Sequence, residues 1–350
     1  MVRRVPAALT AEEIREANAR YHDAAAGEYD FKWGIDFGAI GLGQVTAKLH
    51  KALGHPPGHY ARSLEIGAGT GYFTLNMLRA GMIGRATCAD ISPGMLSALR
   101  SNARRLRLEV QTVRVDAECL PFAEDSFELV FGHAVLHHIP DLPRAFAEFE
   151  RVLRPGGTVL FAGEPSRYGD RLSALPKRTA GLLAPLWRRA VGARAGAPVP
   201  DPGSDAALER FVDVHAFAPG ELRRAATGAG LRDVRVAGDE LLANWFGWAN
   251  RTLEASADPD HVPWLWRQYA YHGYLLLQRL DRSLLEGRLP PALFYNLMIS
   301  ARKPESRPAA GAPRSAGARA TAEDDTRAAR SAARTEPGGE RPAAARSSRR

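Results

Sequence analysis

Cysteine is scarce: the 350 residues hold two, Cys88 and Cys119, at no spacing that suits a metal site or a redox pair. That rules out a disulfide-stapled secreted fold and makes a reducing cytoplasm the expected setting. Long apolar runs are missing too, with no uninterrupted stretch near the ~18 residues of a membrane span. The N-terminus MVRRVPAALTAEEIREANARYHD has two early arginines but no apolar segment and cleavage site of the secretory kind. A cytoplasmic protein without a transmembrane segment is expected, with peripheral lipid contact left open.

Excess positive charge is also absent from most of the chain. The net charge is +8, yet residues 301–350 hold 12 Lys and Arg against 6 Asp and Glu, which leaves about +2 on residues 1–300. A body so near neutrality has little with which to neutralise phosphates, and this argues against a nucleic-acid partner. Residues 303–350, rich in Ala, Arg, Pro, Gly and Ser, lack the apolar side chains that offset ordering entropy; they are expected to be disordered.

What remains reads as alternating strand and helix. Residues 10–26 suit a helix with Thr10 as cap and Glu13 three residues on, and a second helix is expected near 40–53. Strands RSLEI, RATCAD, LEVQTVRVD, FELVFGH and GGTVLFAGE then alternate with helices, one of them capped by Ser92 with Pro93 at its first position. Such a rhythm predicts an α/β fold with a doubly wound, mostly parallel sheet. Two stretches interrupt it, at about 165–215 and 239–292, and are expected as helical insertions. The expected organisation is an N-terminal helical cap over 1–59, a domain over 60–302 and the tail.

The stretch LEIGAGTGYF, Leu64–Phe73, sets Gly67, Gly69 and Gly71 directly behind a strand, with Glu65 two residues before the first glycine. A turn this bare lets backbone approach a ligand and offers N–H groups at a helix start. The dinucleotide fingerprint G-x-G-x-x-G would need a third glycine where Tyr72 stands, so a dehydrogenase reading fails. A strand carboxylate without a pyrophosphate seat suits instead a phosphate-free ligand bearing an ammonium group, such as S-adenosylmethionine. Asp90 and Asp116 end the next two strands, where an open α/β sheet binds its ligands. Singly, these acids have plain roles: a strand-end acid, a helix cap, a turn former. Together they make a nucleoside site.

LEIGAGTGYF, CADISPGML, VDAECLPFAEDSFELVFGHAVLHHI and LRPGGTVLFAGEP resemble the successive motifs of class I S-adenosylmethionine-dependent methyltransferases, most of all the small-molecule branch that includes quinone-biosynthesis enzymes. The resemblance covers about residues 60–165 strongly. It implies a seven-stranded, Rossmann-like sheet whose last strand is antiparallel, and S-adenosylmethionine as cofactor. It also implies roles: Glu65, Gly67, Ala68, Gly69 and Gly71 at the methionine end, Asp90 and Ile91 at the ribose, Asp116 and Ala117 at the adenine, and His133 beside the sulfonium.

Methyl transfer is an in-line displacement, and an oxygen or carbon acceptor often needs a base. His133 and Glu164 are the candidates, each following a strand directly; the pair His137–His138 is as readily structural. After the fourth strand, amino-methylating nucleic-acid enzymes of this fold carry Asn/Asp-Pro-Pro-aromatic, and cytosine-carbon enzymes carry Pro-Cys; here the chain reads GHAV. An apolar or aromatic small molecule (a lipid, quinone or secondary metabolite) is therefore the expected acceptor. Tyr21, Tyr29, Phe31 and Trp33, with Trp245, Phe246, Trp248, Trp264, Trp266, Tyr269, Tyr271 and Tyr274, are available to line its pocket or simply to pack. The apolar, arginine-bearing GLLAPLWRRAVGAR suits a lid helix or a lipid-facing one. A module that binds S-adenosylmethionine without transferring methyl is the alternative reading.

Overall fold

The computed structural model describes residues 10–196 and 215–305. The tail from 306 onward, expected to be disordered, lies outside the described residues, as do residues 1–9 and part of the first insertion.

Helices α1 (Ala11–Ala25), α2 (Tyr29–Trp33) and α3 (Ala39–Leu53) precede the sheet. Thr10 and Glu13 close a full capping box on α1, each satisfying the other's N–H. There follow β1 (Tyr60–Ile66), α4 (Tyr72–Arg79), β2 (Ile83–Asp90), α5 (Pro93–Leu106), β3 (Gln111–Arg114), β4 (Phe127–His133), α6 (Leu142–Val152) and β5 (Leu153–Pro165). Then come α7 (Arg167–Val191), α8 (Pro219–Gly228), β6 (Arg232–Asp239), α9 (Leu242–Ala255), α10 (Trp264–Leu280) and β7 (Asn296–Arg302). The seven strands run in the order β3-β2-β1-β4-β5-β7-β6. All pairings are parallel except those of β7, which is antiparallel to both β5 and β6.

Alternation along the strands builds a core on each face. On one side Leu129, Phe131, Leu160 and Met298 meet Val45 and Leu49 of α3 and Phe73 and Met77 of α4. On the other, Leu64, Val130, Val159, Phe161 and Ile299 meet Phe146 and Phe149 of α6 and Leu222 of α8. Strand order reverses between β1 and β4, so the helices after them leave by opposite faces and open a crevice at the strands' C-terminal ends. That crevice is where the glycine turn, Asp90 and His133 all stand.

Two elements depart from the sequence expectation. The third strand is only four residues long, since Leu108 and Val110 pack with helical neighbours instead of extending the sheet. The helical patch of the first insertion grows to 25 residues despite Pro176 and Pro185 inside it. Packing of α7 along α9 offsets what two interior prolines cost. Helix α9 lacks a cap of its own: Asp281, at the end of α10, accepts the N–H groups of Leu241, Leu242 and Ala243 at 2.9–3.0 Å. One buried carboxylate thus fixes the angle between the helices of the second insertion.

Candidate active site

The glycine turn is bare for two separate reasons. Gly67, at φ +63°, lies so near the loop after β4 that a Cβ would stand 2.3 Å from Val135 Cγ2. Gly69, at φ +52°, would meet nothing with its Cβ, and its N–H donates to Asp90 Oδ2 at 2.8 Å. Both conformations are left-handed and suit glycine. Asp90 also accepts the Ser92 N–H at 2.9 Å, and Ser92 in turn caps α5 by accepting from Met95. Burial pushes Asp90 up to about 6, against the pull of the Ser92 and Gly69 N–H groups.

These residues wall a cleft of about 780 Å³, mouth included, with Gly67, Gly69, Asp90, Ile91, Asp116, Ala117 and His133 among its lining. The other three expected cofactor residues do not reach its wall. Glu65 is buried behind the turn, where its Oε2 accepts the Thr74 N–H at 3.2 Å and burial pushes it up to about 8. Ala68 donates to the Ala89 carbonyl at 3.0 Å and ties the turn to β2. Gly71 sits against Leu75 and Leu99. Alternation on β1 explains Glu65: its neighbours Leu64 and Ile66 face the α6 side, so it points under α4.

The far side of the cleft is closed by α1, through Arg15, Asn18 and His22, and by Tyr29 of α2. The Arg15 guanidinium bridges Asp116 (2.7 Å), Glu118 (2.5 Å) and Glu12 (3.2 Å), latching the helix to the loop after β3. Sequence reading missed these α1 residues. Their signal was present: 15, 18 and 22 share one helical face, and that inward face is polar. Asp116 also accepts the Glu118 N–H at 3.0 Å, so it is a turn former as well as a lining residue.

His133 stacks on Phe73 at 4.7 Å, and its buried Nε2 has no hydrogen-bond partner among the described residues. Burial, helped by Lys48, lowers it to about 3, so the imidazole is neutral. Gly163 makes room for it, since a Cβ there would stand 2.7 Å from Nε2. His22 is likewise lowered to about 4 by burial and by His137.

Glu164, the other base candidate, is placed differently. It is fully buried and does not line the cleft. Its carboxylate accepts the N–H groups of Val135 (3.0 Å), Leu136 (3.1 Å) and His137 (3.2 Å), and His137 Nδ1 lies 2.9 Å from it. Glu164 thus holds the turn after β4, and no acceptor would reach it.

A second, larger cavity opens on the other side of His133. Tyr21, Trp33, Tyr72, Trp248, Tyr271 and Tyr274 give it aromatic walls. Tyr72, in the position of the absent third glycine, points its hydroxyl to Gln44 at 2.9 Å. Its walls are not apolar throughout, because Lys48, Glu240, Arg251 and Glu254 line it as well. Glu240 takes hydrogen bonds from Tyr274 (2.6 Å), Gln278 (2.7 Å) and Asn244 (3.1 Å). Several of the available aromatics pack elsewhere, Trp266 against Trp187 and Tyr269 and Phe246 against Tyr269, while Phe31 is 90% exposed and packs on neither wall.

Residues 64–161 match the family described as methyltransferase domain. A malonyl-[acyl-carrier protein] O-methyltransferase of Halorhodospira halophila is 37% identical over 148 residues, 42% of this chain and 48% of that protein. The ubiquinone/menaquinone biosynthesis C-methyltransferase UbiE of Psychromonas ingrahamii is 38% identical over 100 residues, 28% of this chain and 40% of that one. The chain therefore spans about half the length, or less, of these curated relatives. Among solved structures, Haemonchus contortus phosphoethanolamine N-methyltransferase 2 in complex with S-adenosyl-L-methionine shares the fold, with a TM-score of 0.50 at 18% identity over 83% of this chain and 60% of that one. Among the described residues, no helix is long and apolar enough to cross a membrane. The matched segment, residues 64–161, holds the glycine turn and the strand-end acids and is thus similar to a methyltransferase domain.

Proposed function

We propose that the chain transfers a methyl group from S-adenosylmethionine to a small acceptor held in the larger cavity. One observation carries this reading: the two cavities share a wall, since His22, Tyr29, His133, Ala134 and His138 line both. A ligand in each would meet at that wall.

The smaller cleft fits the cofactor chemically. Asp90 retains lone pairs for ribose hydroxyls, Asp116 and Ala117 border the adenine end, and Gly69, bare of a side chain, leaves the space beside the turn open. The one arginine in the lining, Arg15, is already spent on carboxylates, so no cation waits for a phosphate. The bound cofactor supplies a methyl group activated on a sulfonium. The protein's part is to align the acceptor and exclude water, with α1 and α2 as the cover. His133, held neutral by burial, packs at the shared wall and orients the acceptor there; Glu164 positions the wall. The aromatic cavity with charged members supports an aromatic or apolar acceptor that carries a polar group. The relatives' names, an O- and a C-methyltransferase, agree with an oxygen or carbon nucleophile.

Methyl-labelled S-adenosylmethionine incubated with the protein and extracts of lipids and aromatic metabolites is expected to give a labelled organic-soluble product. Tight binding of S-adenosylhomocysteine with no transfer in any extract would favour the binding-module reading instead. His133→Leu, by misplacing the acceptor at the shared wall, is expected to lower turnover about 10²-fold while calorimetric affinity for the cofactor stays within about threefold. An equal loss in both would make His133 a cofactor residue only.

Asp90 gives the site a pH dependence. Hydroxyl donors need its ionised form, so cofactor affinity is expected to fall about tenfold per pH unit below 6. In the empty protein the sign is opposite. The folded state holds this proton more tightly than the unfolded chain, so the group adds stability as pH falls from about 6 towards 3.8. Titrations at several pH values, with and without cofactor, separate the two effects.

A further inference from the structure

Helix α7 carries two apolar faces where a surface helix ordinarily has one. Gly169, Ser173, Ala180, Ala184 and Trp187 form its buried face. Rotated from them by about 120° at 100° per residue, Tyr168, Leu172, Leu175, Leu182, Leu183 and Leu186 face outward, 40–82% exposed. At 1.5 Å per residue this stripe runs for about 27 Å. Scattered exposed leucines are ordinary, but six apolar side chains along one face, broken only at Thr179, mark a surface that something covers.

Charge identifies the occupant. Arg171, Arg178 and Arg189 are exposed and follow one edge of the stripe. The helix holds six basic residues against one acid, Asp170, which pairs with Lys177 at 3.2 Å. The spacing 168, 172, 175, 179, 182, 186 would also suit pairing with a second copy. Such pairing, however, would bring arginine rows together with no acids to answer them. An anionic bilayer answers both features: leucines enter the acyl boundary and arginines meet the headgroups. We propose that α7 lies flat on an anionic phospholipid surface and seats the protein there. It packs on α9, whose Trp248 and Arg251 wall the larger cavity, so the seated face is one helix away from that cavity.

The test is vesicle co-sedimentation of the full chain, with phosphatidylcholine mixed with phosphatidylglycerol and with phosphatidylcholine alone. Wild type is expected to bind the anionic vesicles strongly and the neutral ones at least about tenfold less. The double variant Leu182→Gln/Leu186→Gln keeps the net charge and changes only exposed side chains. It is expected to bind anionic vesicles at least about tenfold more weakly, with unchanged melting temperature and cofactor affinity. Undiminished binding by the variant would assign the attraction to charge elsewhere, such as the arginine-rich tail, and overturn the proposal. A wild type indifferent to both vesicles would overturn it as well. Were sedimentation velocity then to show a dimer that the variant loses, the stripe would belong to a second copy.

Discussion

Asp90→Ala is expected to weaken S-adenosylmethionine binding by about 10²- to 10³-fold, the largest effect of any single change in the cleft. The carboxylate is placed to accept two ribose hydroxyls, and a hydrogen bond to a charged group contributes about 1.5–3 kcal/mol. Its removal also frees the Gly69 and Ser92 N–H groups that shape the turn. Calorimetric titration measures the loss. A companion, Asp90→Asn, keeps the shape and one acceptor oxygen. One of the Gly69 and Ser92 N–H groups then faces an amide nitrogen, at about 1–3 kcal/mol, offset in part because burial already disfavours the ionised acid. The empty protein's melting temperature is expected to fall by about 3–6 °C at neutral pH while affinity collapses. A large drop in melting temperature with affinity retained would make Asp90 a structural cap alone.

The second large effect is on stability. Glu164→Ala removes the acceptor of three backbone N–H groups and the partner of His137, all in a buried setting. Each unsatisfied donor costs about 1–3 kcal/mol, so a loss of about 4 kcal/mol is expected, read by urea denaturation. Cofactor affinity should fall with it, since Val135 belongs both to this turn and to the cleft wall. A Glu164 acting as general base would behave otherwise. Its glutamine variant would lose turnover while stability and cofactor affinity held, and that pattern would reverse the assignment made here.

Much of the cleft was legible in the chain because its residues are local. A glycine turn, a strand-end acid and a capped helix each lie within a dozen residues, and backbone conformational limits tie such patterns to geometry. Gly67, Gly69, Asp90, Asp116 and His133 were found that way, as was the strand rhythm that set the fold class. What the sequence could not supply was direction. Glu65 and Glu164 look like site acids in one dimension, yet alternation and the sheet's two faces turn one beneath α4 and the other under the turn after β4. Arg15 and His22 look like ordinary helix polar residues until α1 is laid across strands from more than a hundred residues away. The two faces of α7 became distinct only when α9 covered one of them. Local motifs are fixed by the steric limits of a few neighbouring residues, which the sequence states directly. Which side of an element meets ligand, core or solvent is fixed by long-range packing, which only the folded chain decides.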